Sequence, residues 1–399
     1  MDTLTDTGIG TEVRHPLSPL TAEEIKLVST IVVDYFREKS KSILFEMIEL
    51  DEPEKKSIWD YKVGDRLERL ANVTVFQKGQ LGVWRLLVSI TNSKVIKCDE
   101  FSDAQPMIQL EEFLEIERVV KQDPNFIQGC KKRGITDLNS VCVDAWSAGI
   151  STSSDEVGKH ISHTFAWLKN SGSDNQYAHP IEGLNAVVDV KKMEVIRVDD
   201  TGVVPIPPGD SNYASNLEKN PRDTLTPINV EQPEGVSFKF LNGVLNWDKW
   251  SLVIGFNARE GLTLHDLKFD GRPICFRASI AEMVVPYGSP LKNHARKNVF
   301  DVGEYGIGKL ANSLELGCDC LGAIHYIDCL VSDINGNPMR IKNGICIHEE
   351  DTGILWKHYD FRTDSTELRR GRRLVISSIS TVGNYDYAYY WYLNLDGEI

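Results

Sequence analysis

The sequence predicts an α+β chain that ends in a large, mainly β domain, and three observations carry that prediction. A helix followed by strand-like runs and a closing hairpin occurs twice, one hundred residues apart. Six of the sixteen prolines then fall within residues 201–234, among Ser, Asn and Gly, a composition that does not build a core. From Val236 onward strand follows strand with almost no helical period, as in Trp250-Ser251-Leu252-Val253-Ile254-Gly255-Phe256.

The first ordered element begins near His15-Pro16-Leu17-Ser18-Pro19-Leu20. Thr21-Ala22-Glu23-Glu24 is a capping box, in which Thr21 accepts from the N–H of Glu24 and Glu24 reaches back. Ile25, Val28, Ile31, Val32 and Tyr35 then share one face of a helix of about five turns. A turn at Lys78-Gly79 interrupts the alternating runs that follow, which end in Leu86–Ile90, a short turn and Lys94–Lys97. The second module repeats this with a helix over Gln109–Gln122 and a hairpin of Ala186–Val190 and Glu194–Arg197.

These patterns divide the chain into a first small module (12–98), a second (104–200), a Pro-rich linker (201–234) and a β domain (235–399). Tyr387 to Leu395 reads as a strand and Asp396-Gly397 as a hairpin turn, with only Glu398-Ile399 left to return. The β domain therefore reads as truncated in mid-sheet, with an aromatic edge left unpaired.

The formal net charge of −14 and pI near 5.2 speak against nucleic acid or an anionic membrane as partner. The basic run Arg369–Arg373 is short and reads as a solvated or ion-paired corner. No secretory leader or membrane-length apolar run is visible, so the expected location is intracellular, in the cytoplasm. The eight cysteines are scattered, as mostly reduced thiols would be. The four between Cys318 and Cys346, with His325 and His348, leave a zinc module open as an alternative, although paired C-x-x-C knuckles are missing.

Thr381-Val382-Gly383-Asn384-Tyr385-Asp386-Tyr387, read alone, is a turn feeding an aromatic strand. It also resembles the cofactor-forming motif Thr-x-x-Asn-Tyr-Asp/Glu-Tyr of the copper amine oxidases. Arg277–Tyr287, Phe300–Gly308 and Leu314–Gly322 resemble further stretches of that family. His15–Thr21 and His179–Leu184 resemble the start and end of its two small N-terminal domains. The likeness is greatest to the bacterial and fungal members without a leader, and a peroxisomal address stays open for a fungal one. It implies two cystatin-like α+β domains, each a helix on an antiparallel meander, before a large antiparallel β-sandwich.

The resemblance also implies an activity: oxidative deamination of primary amines by O2 to aldehyde, ammonia and hydrogen peroxide, in a homodimer. Tyr385 would be oxidised to topaquinone, an electron sink that the ordinary side chains cannot provide. Asp301, otherwise a turn residue before Gly303, would be the base that takes the α-proton, with a carboxyl pKa raised by an apolar site. Tyr287 would hydrogen-bond the quinone, and Asn384, otherwise a turn asparagine tolerant of left-handed backbone, would position it. Tyr305 and Trp146 would line the amine channel, and Cys320 and Cys346 would form a disulfide.

Copper in the family is held by three histidines, two of them in a His-x-His pair beyond the modified tyrosine, and imidazole suits Cu(II). This sequence has no His-x-His and no histidine after His358, so the ligands are expected beyond residue 399. His160 and His163 are read as surface residues of a helical stretch. Without the ligands Tyr385 stays a tyrosine, which leaves a non-catalytic, dimerising protein as the alternative function.

Overall fold

Helix α1 (Ala22–Arg37) starts where its cap dictates: Glu24 N donates to Thr21 Oγ1 (3.1 Å) and Thr21 N donates to Glu24 Oε2 (2.9 Å). The computed structural model describes residues 14–399 apart from 40, 150–152, 210, 214–221, 223 and 292. The expected start of the first module at residue 12, and part of the Pro-rich linker, lie outside the described residues. Ile25, Val28, Val32 and Phe36 of α1 pack on an antiparallel meander of β1 (Leu44–Asp51), β2 (Leu70–Phe76), β3 (Val83–Ser89) and β4 (Lys94–Phe101). A short helix, α2 (Lys55–Asp60), interrupts the run between β1 and β2.

The same plan recurs with α3 (Leu110–Gln122) and α4 (Pro124–Lys132) over β5 (Val141–Ser147), β6 (Ile161–Leu168), β7 (Leu184–Asp189) and β8 (Glu194–Asp200). The closing hairpins correspond in backbone detail, because Ser93 (φ 51°) and Met193 (φ 53°) take the left-handed position of each turn. Strand β6 corrects one expectation. His160 and His163 are at and in this strand, not in a helix, and both are buried. Nearly every residue of β6 is covered on both faces, so the polar–apolar alternation that marks a half-exposed strand is absent from Ile161–Leu168. Burial keeps the two imidazoles neutral, pushing His160 down to about 3 and His163 down to about 4.

No helix or strand forms among the described residues between β8 and β9. A five-stranded meander follows: β9 (Lys239–Leu241), β10 (Val244–Trp247), β11 (Trp250–Asn257), β12 (Gly261–Phe269) and β13 (Arg272–Ala278). A second sheet of β16 (His325–Ser332), β17 (Pro338–Asp360), β18 (Ser365–Val382) and β19 (Tyr385–Asn394) packs against it. Trp247, Trp250 and Leu252 meet Val331, Ile347, Leu374 and Ile376 in one apolar layer, as in a sandwich. Between the sheets in sequence lies a small ribbon of β14 (Val284–Pro286) and β15 (Asn298–Phe300). The core of the second module runs on into Val299, Val302, Tyr305, Ile307 and Val382, so that module is packed onto the ribbon and the turn before β19.

Of the two expectations for the basic run, the ion-paired one is met: Arg370 bonds Asp351, and Arg373 bonds Glu350 at 2.7 Å. No helix among the described residues is long and apolar enough to cross a membrane.

Candidate active site

The turn at the start of β19 is built by the residues that flank it. Val382 pairs with Tyr385 across the two-residue loop Gly383-Asn384, and Gly383 supplies the positive φ (+59°) such loops require. The left-handed position therefore falls on the glycine and not on Asn384. Thr381 Oγ1 donates to Asp386 Oδ1 (2.7 Å) and accepts from Asn312 Nδ2 (2.9 Å), which ties the loop to the preceding segment.

Strand alternation then points Tyr385, Tyr387 and Tyr389 to one face, with the first two rings stacked 6.2 Å apart. That face lies along the β14–β15 ribbon. At one end Tyr287, the residue after β14, has its hydroxyl 3.0 Å from that of Tyr385. At the other end Asp301, the residue after β15, accepts from Tyr387 Oη at 2.8 Å. Tyr389 Oη reaches Met283 Sδ at 3.1 Å, beside Asp301. Two antiparallel elements thus set the spacing between the tyrosine pair and the carboxylate.

Asp301 opens a single wide helical turn, Asp301–Tyr305, an irregularity often found at functional sites. The turn is fixed by Glu282, which accepts from Gly303 N (3.1 Å) and from Arg259 Nη2 (3.0 Å). Asp301 is 2 % exposed while Tyr385 is 45 % exposed, so the carboxyl is covered and the phenol is accessible. Burial raises the Asp301 pKa, the Tyr387 hydroxyl pulls it back, and the nearby Glu282 charge adds to the rise. The Tyr387 hydroxyl is in turn held protonated by burial and by its bond to Asp301.

A cavity of about 430 Å³ is lined by Asp301, Tyr385, Tyr287, Asn384, Trp146 and Tyr305 together. Asn384 is exposed on the loop, and Tyr305 is buried, its hydroxyl accepting from Ser147 N at 3.3 Å. Trp146 comes from β5 and sits edge-on to Tyr287 with ring centroids 5.5 Å apart. Sequence reasoning missed Tyr387 as the partner of Asp301, although its i, i+2 relation to Tyr385 put both on one face. It also missed Lys297, whose ammonium lies 4.6 Å from the Tyr287 ring centroid and 4.9 Å from that of Trp146. Nothing in the local pattern marked that lysine.

Three consecutive family models match: copper amine oxidase N2 domain over residues 15–100, N3 domain over 111–217 and enzyme domain over 239–399. The chain belongs to the copper amine oxidase family. It is 41 % identical over 392 residues to a primary amine oxidase of Arthrobacter sp. (strain P1), covering 97 % of this chain and 60 % of that protein. It is 42 % identical over 394 residues to a histamine oxidase of Arthrobacter globiformis, covering 97 % of this chain and 57 % of that one. The crystal structure of a copper-containing benzylamine oxidase from Hansenula polymorpha superposes with a TM-score of 0.83 at 28 % identity, over 96 % of this chain and 63 % of that one. The chain thus spans about 60 % of the length of the curated relatives it matches.

A copper centre does not fit the residues present. Among the described residues no three His, Cys, Asp or Glu side chains converge on a point that could hold a metal. His265, for example, is committed to Thr263 Oγ1 through Nε2, and His179 to Pro207 O through Nδ1. The same observation removes geometric support from the zinc alternative. His325 packs between Phe238 and Phe240, Cys318 is exposed, and His348 bonds Glu350. Cys320 and Cys346 do come together in one small buried cluster, as free thiols.

Proposed function

We propose that the complete protein carries out copper- and topaquinone-dependent oxidative deamination of primary amines, yielding aldehyde, ammonia and hydrogen peroxide. The observation that carries this reading is the single cavity on which Asp301, Tyr385, Tyr287, Asn384, Trp146 and Tyr305 converge. Oxidation of Tyr385 to topaquinone would supply a carbonyl electron acceptor at the accessible end of the site.

The chain's own residues would do the rest. Tyr287 Oη holds the ring oxygen of residue 385, at 3.0 Å in the tyrosine form, and the loop carrying Asn384 orients the ring. Asp301 receives the α-proton of the amine. Its raised pKa makes it a stronger base than an exposed carboxylate, and Tyr387 Oη keeps it aimed and partly stabilised. Trp146 and Tyr305 wall the approach and keep bulk water from the covered carboxyl. No step is assigned to copper, because the described residues do not form its site.

Homodimer formation is part of the same proposal. The β17–β18 hairpin projects exposed apolar residues, Ile354 (58 %), Leu355 (64 %) and Phe361 (69 %), which a second copy would cover. Cys320 and Cys346 are the pair we assign to a disulfide. We place the complete protein in the cytoplasm, or in the peroxisome if its source is fungal; relatives from Nicotiana tabacum and Pichia angusta are named peroxisomal.

The lack of a three-ligand cluster among the described residues favours a second reading for the chain by itself, that of a non-catalytic, dimerising protein. Aerobic incubation of the metal-free 399-residue chain with Cu(II), followed by mass analysis of the Tyr385 peptide, separates the two. Unmodified tyrosine is expected for this chain. A quinone mass would show that it assembles the copper site unaided, and the second reading would then fall.

A further inference from the structure

Asp144 lies on the cavity wall two residues before Trp146 on β5, so strand alternation turns both side chains the same way. Tyr385 meets Tyr287, Tyr287 meets Trp146, and Asp144 lines the same cavity next along β5. One strand repeat, about 6.6 Å, separates the last two along the wall. Asp144 lies beside the hydroxyl of Tyr177, which lowers its pKa against the rise from burial, and the Tyr177 ring packs on Trp167 at 5.2 Å. That hydroxyl stands 3.7 Å from where a Cβ on Gly383 would be, so the pair also abuts the loop that carries Tyr385.

A carboxylate has about four acceptor positions, of which the single Tyr177 hydroxyl proton could take at most one. Lys297 is a nearby cation, but its ammonium is held over the rings of Trp146, Phe165 and Tyr287 and acts on Asp144 through space. Of the other two wall carboxylates, Glu182 is taken by His294 Nε2 at 3.1 Å and Asp301 by Tyr387 Oη at 2.8 Å. Much of the surrounding lining is apolar, and a carboxylate set in such a wall calls for donors from whatever fills the cavity.

We propose that Asp144, beside Tyr177 on the cavity wall, determines specificity for the far end of the amine. It selects primary amines whose tail carries a hydrogen-bond donor, a hydroxyl or a second ammonium, over amines with wholly apolar tails. This rests on the reading of the cavity as the amine site. Burial lifts the Asp144 carboxyl to about 6, so it is ionised at pH 7.5 and largely neutral at pH 5.

The test is calorimetric titration of the 399-residue chain at pH 7.5 with phenethylamine, tyramine and 1,4-diaminobutane, which needs no turnover. Tyramine or diaminobutane should bind about tenfold or more tighter than phenethylamine, the worth of one charge-assisted hydrogen bond. Whichever wins tells a neutral donor from a cationic one, and an ammonium preference should fade at pH 5 whereas a hydroxyl preference should fade less. Asp144→Leu should erase the difference. Should that variant not fold, Asp144→Asn keeps the shape, and the ammonium preference must be lost in it or a hydroxyl preference reduced. Equal affinities for all three amines, or a preference that survives Asp144→Leu, overturn the inference. If Asp301→Asn still weakens every amine in that case, the amine-site reading stands. If no amine binds the unmodified chain, that reading falls and the inference with it.

Discussion

Removing the Tyr387 hydroxyl tests the link between the β19 face and the covered carboxylate. In Tyr387→Phe the 2.8 Å bond to Asp301 Oδ2 is lost while the ring keeps its place between Tyr385 and Tyr389. A hydrogen bond to an ionised group is worth about 1.5–3 kcal/mol. Tyr387 is only partly buried, so water can replace part of it, and the lower end, about 1.5 kcal/mol, is the better figure. With a urea slope of about 1–3 kcal/mol/M, the large-domain transition should move down by about 0.5–1.5 M at pH 7.5.

The sign of the pH dependence is fixed by the direction of the shift. Asp301 is raised by burial, so its ionised form costs stability, a cost that appears as pH rises through its folded pKa. Tyr387 relieves that cost only while Asp301 is ionised, so the penalty of Tyr387→Phe should shrink as pH falls through that raised pKa. Carbon-13 NMR titration of Asp301 in the variant should show its pKa moved further up. A penalty independent of pH, or an Asp301 pKa that moves down, would refute the charge-assisted account of this pair.

Other outcomes can be checked directly. A Cβ at Gly308 would overlap the Asn257 carbonyl oxygen, so Gly308→Ala should cost about 1–3 kcal/mol in a thermal melt or shift the Asp301 turn, visible as a changed Asp301 titration. Glu349 is buried, yet its pKa is lowered because donors from Ser237 N, Gln232 and Trp247 outweigh desolvation. Its stabilisation is present above the unfolded carboxyl pKa and lost as pH falls through the lower folded value, so Glu349→Gln should flatten the acid side of the Tm–pH curve. Mild oxidation followed by mass mapping should join Cys320 to Cys346 before any other pair, since these two thiols share one small buried cluster. Closing that loop is worth about 2–4 kcal/mol, and a mixture of pairings would refute the assignment.

Local signals were read well where the physics is local. The Thr21 capping box and the twin closing hairpins each depend on residues a few positions apart. The family motifs contain Tyr287, Asp301, Tyr305, Asn384 and Tyr385, which line one cavity, whereas Trp146 was expected there only from the place of the second small module. What local pattern could not deliver were pairings across long stretches of chain. Tyr387 and Asp301 are 86 positions apart and meet only because β19 runs along the β14–β15 ribbon. His160 and His163 failed for a related reason: burial of β6 on both faces depends on what the second module packs against.

The sequence by itself determined the strand-rich character of the last region and the turn-and-strand register of the Tyr385 motif, because capping, alternation and motif spacing are short-range properties. Only the tertiary structure decided which partner holds Asp301, that Asp144 and Lys297 share the same cavity, and that no described residues assemble a metal site. Those outcomes depend on where separate modules dock. Docking is set by the summed burial of faces from all three regions, and no window of local sequence contains that sum.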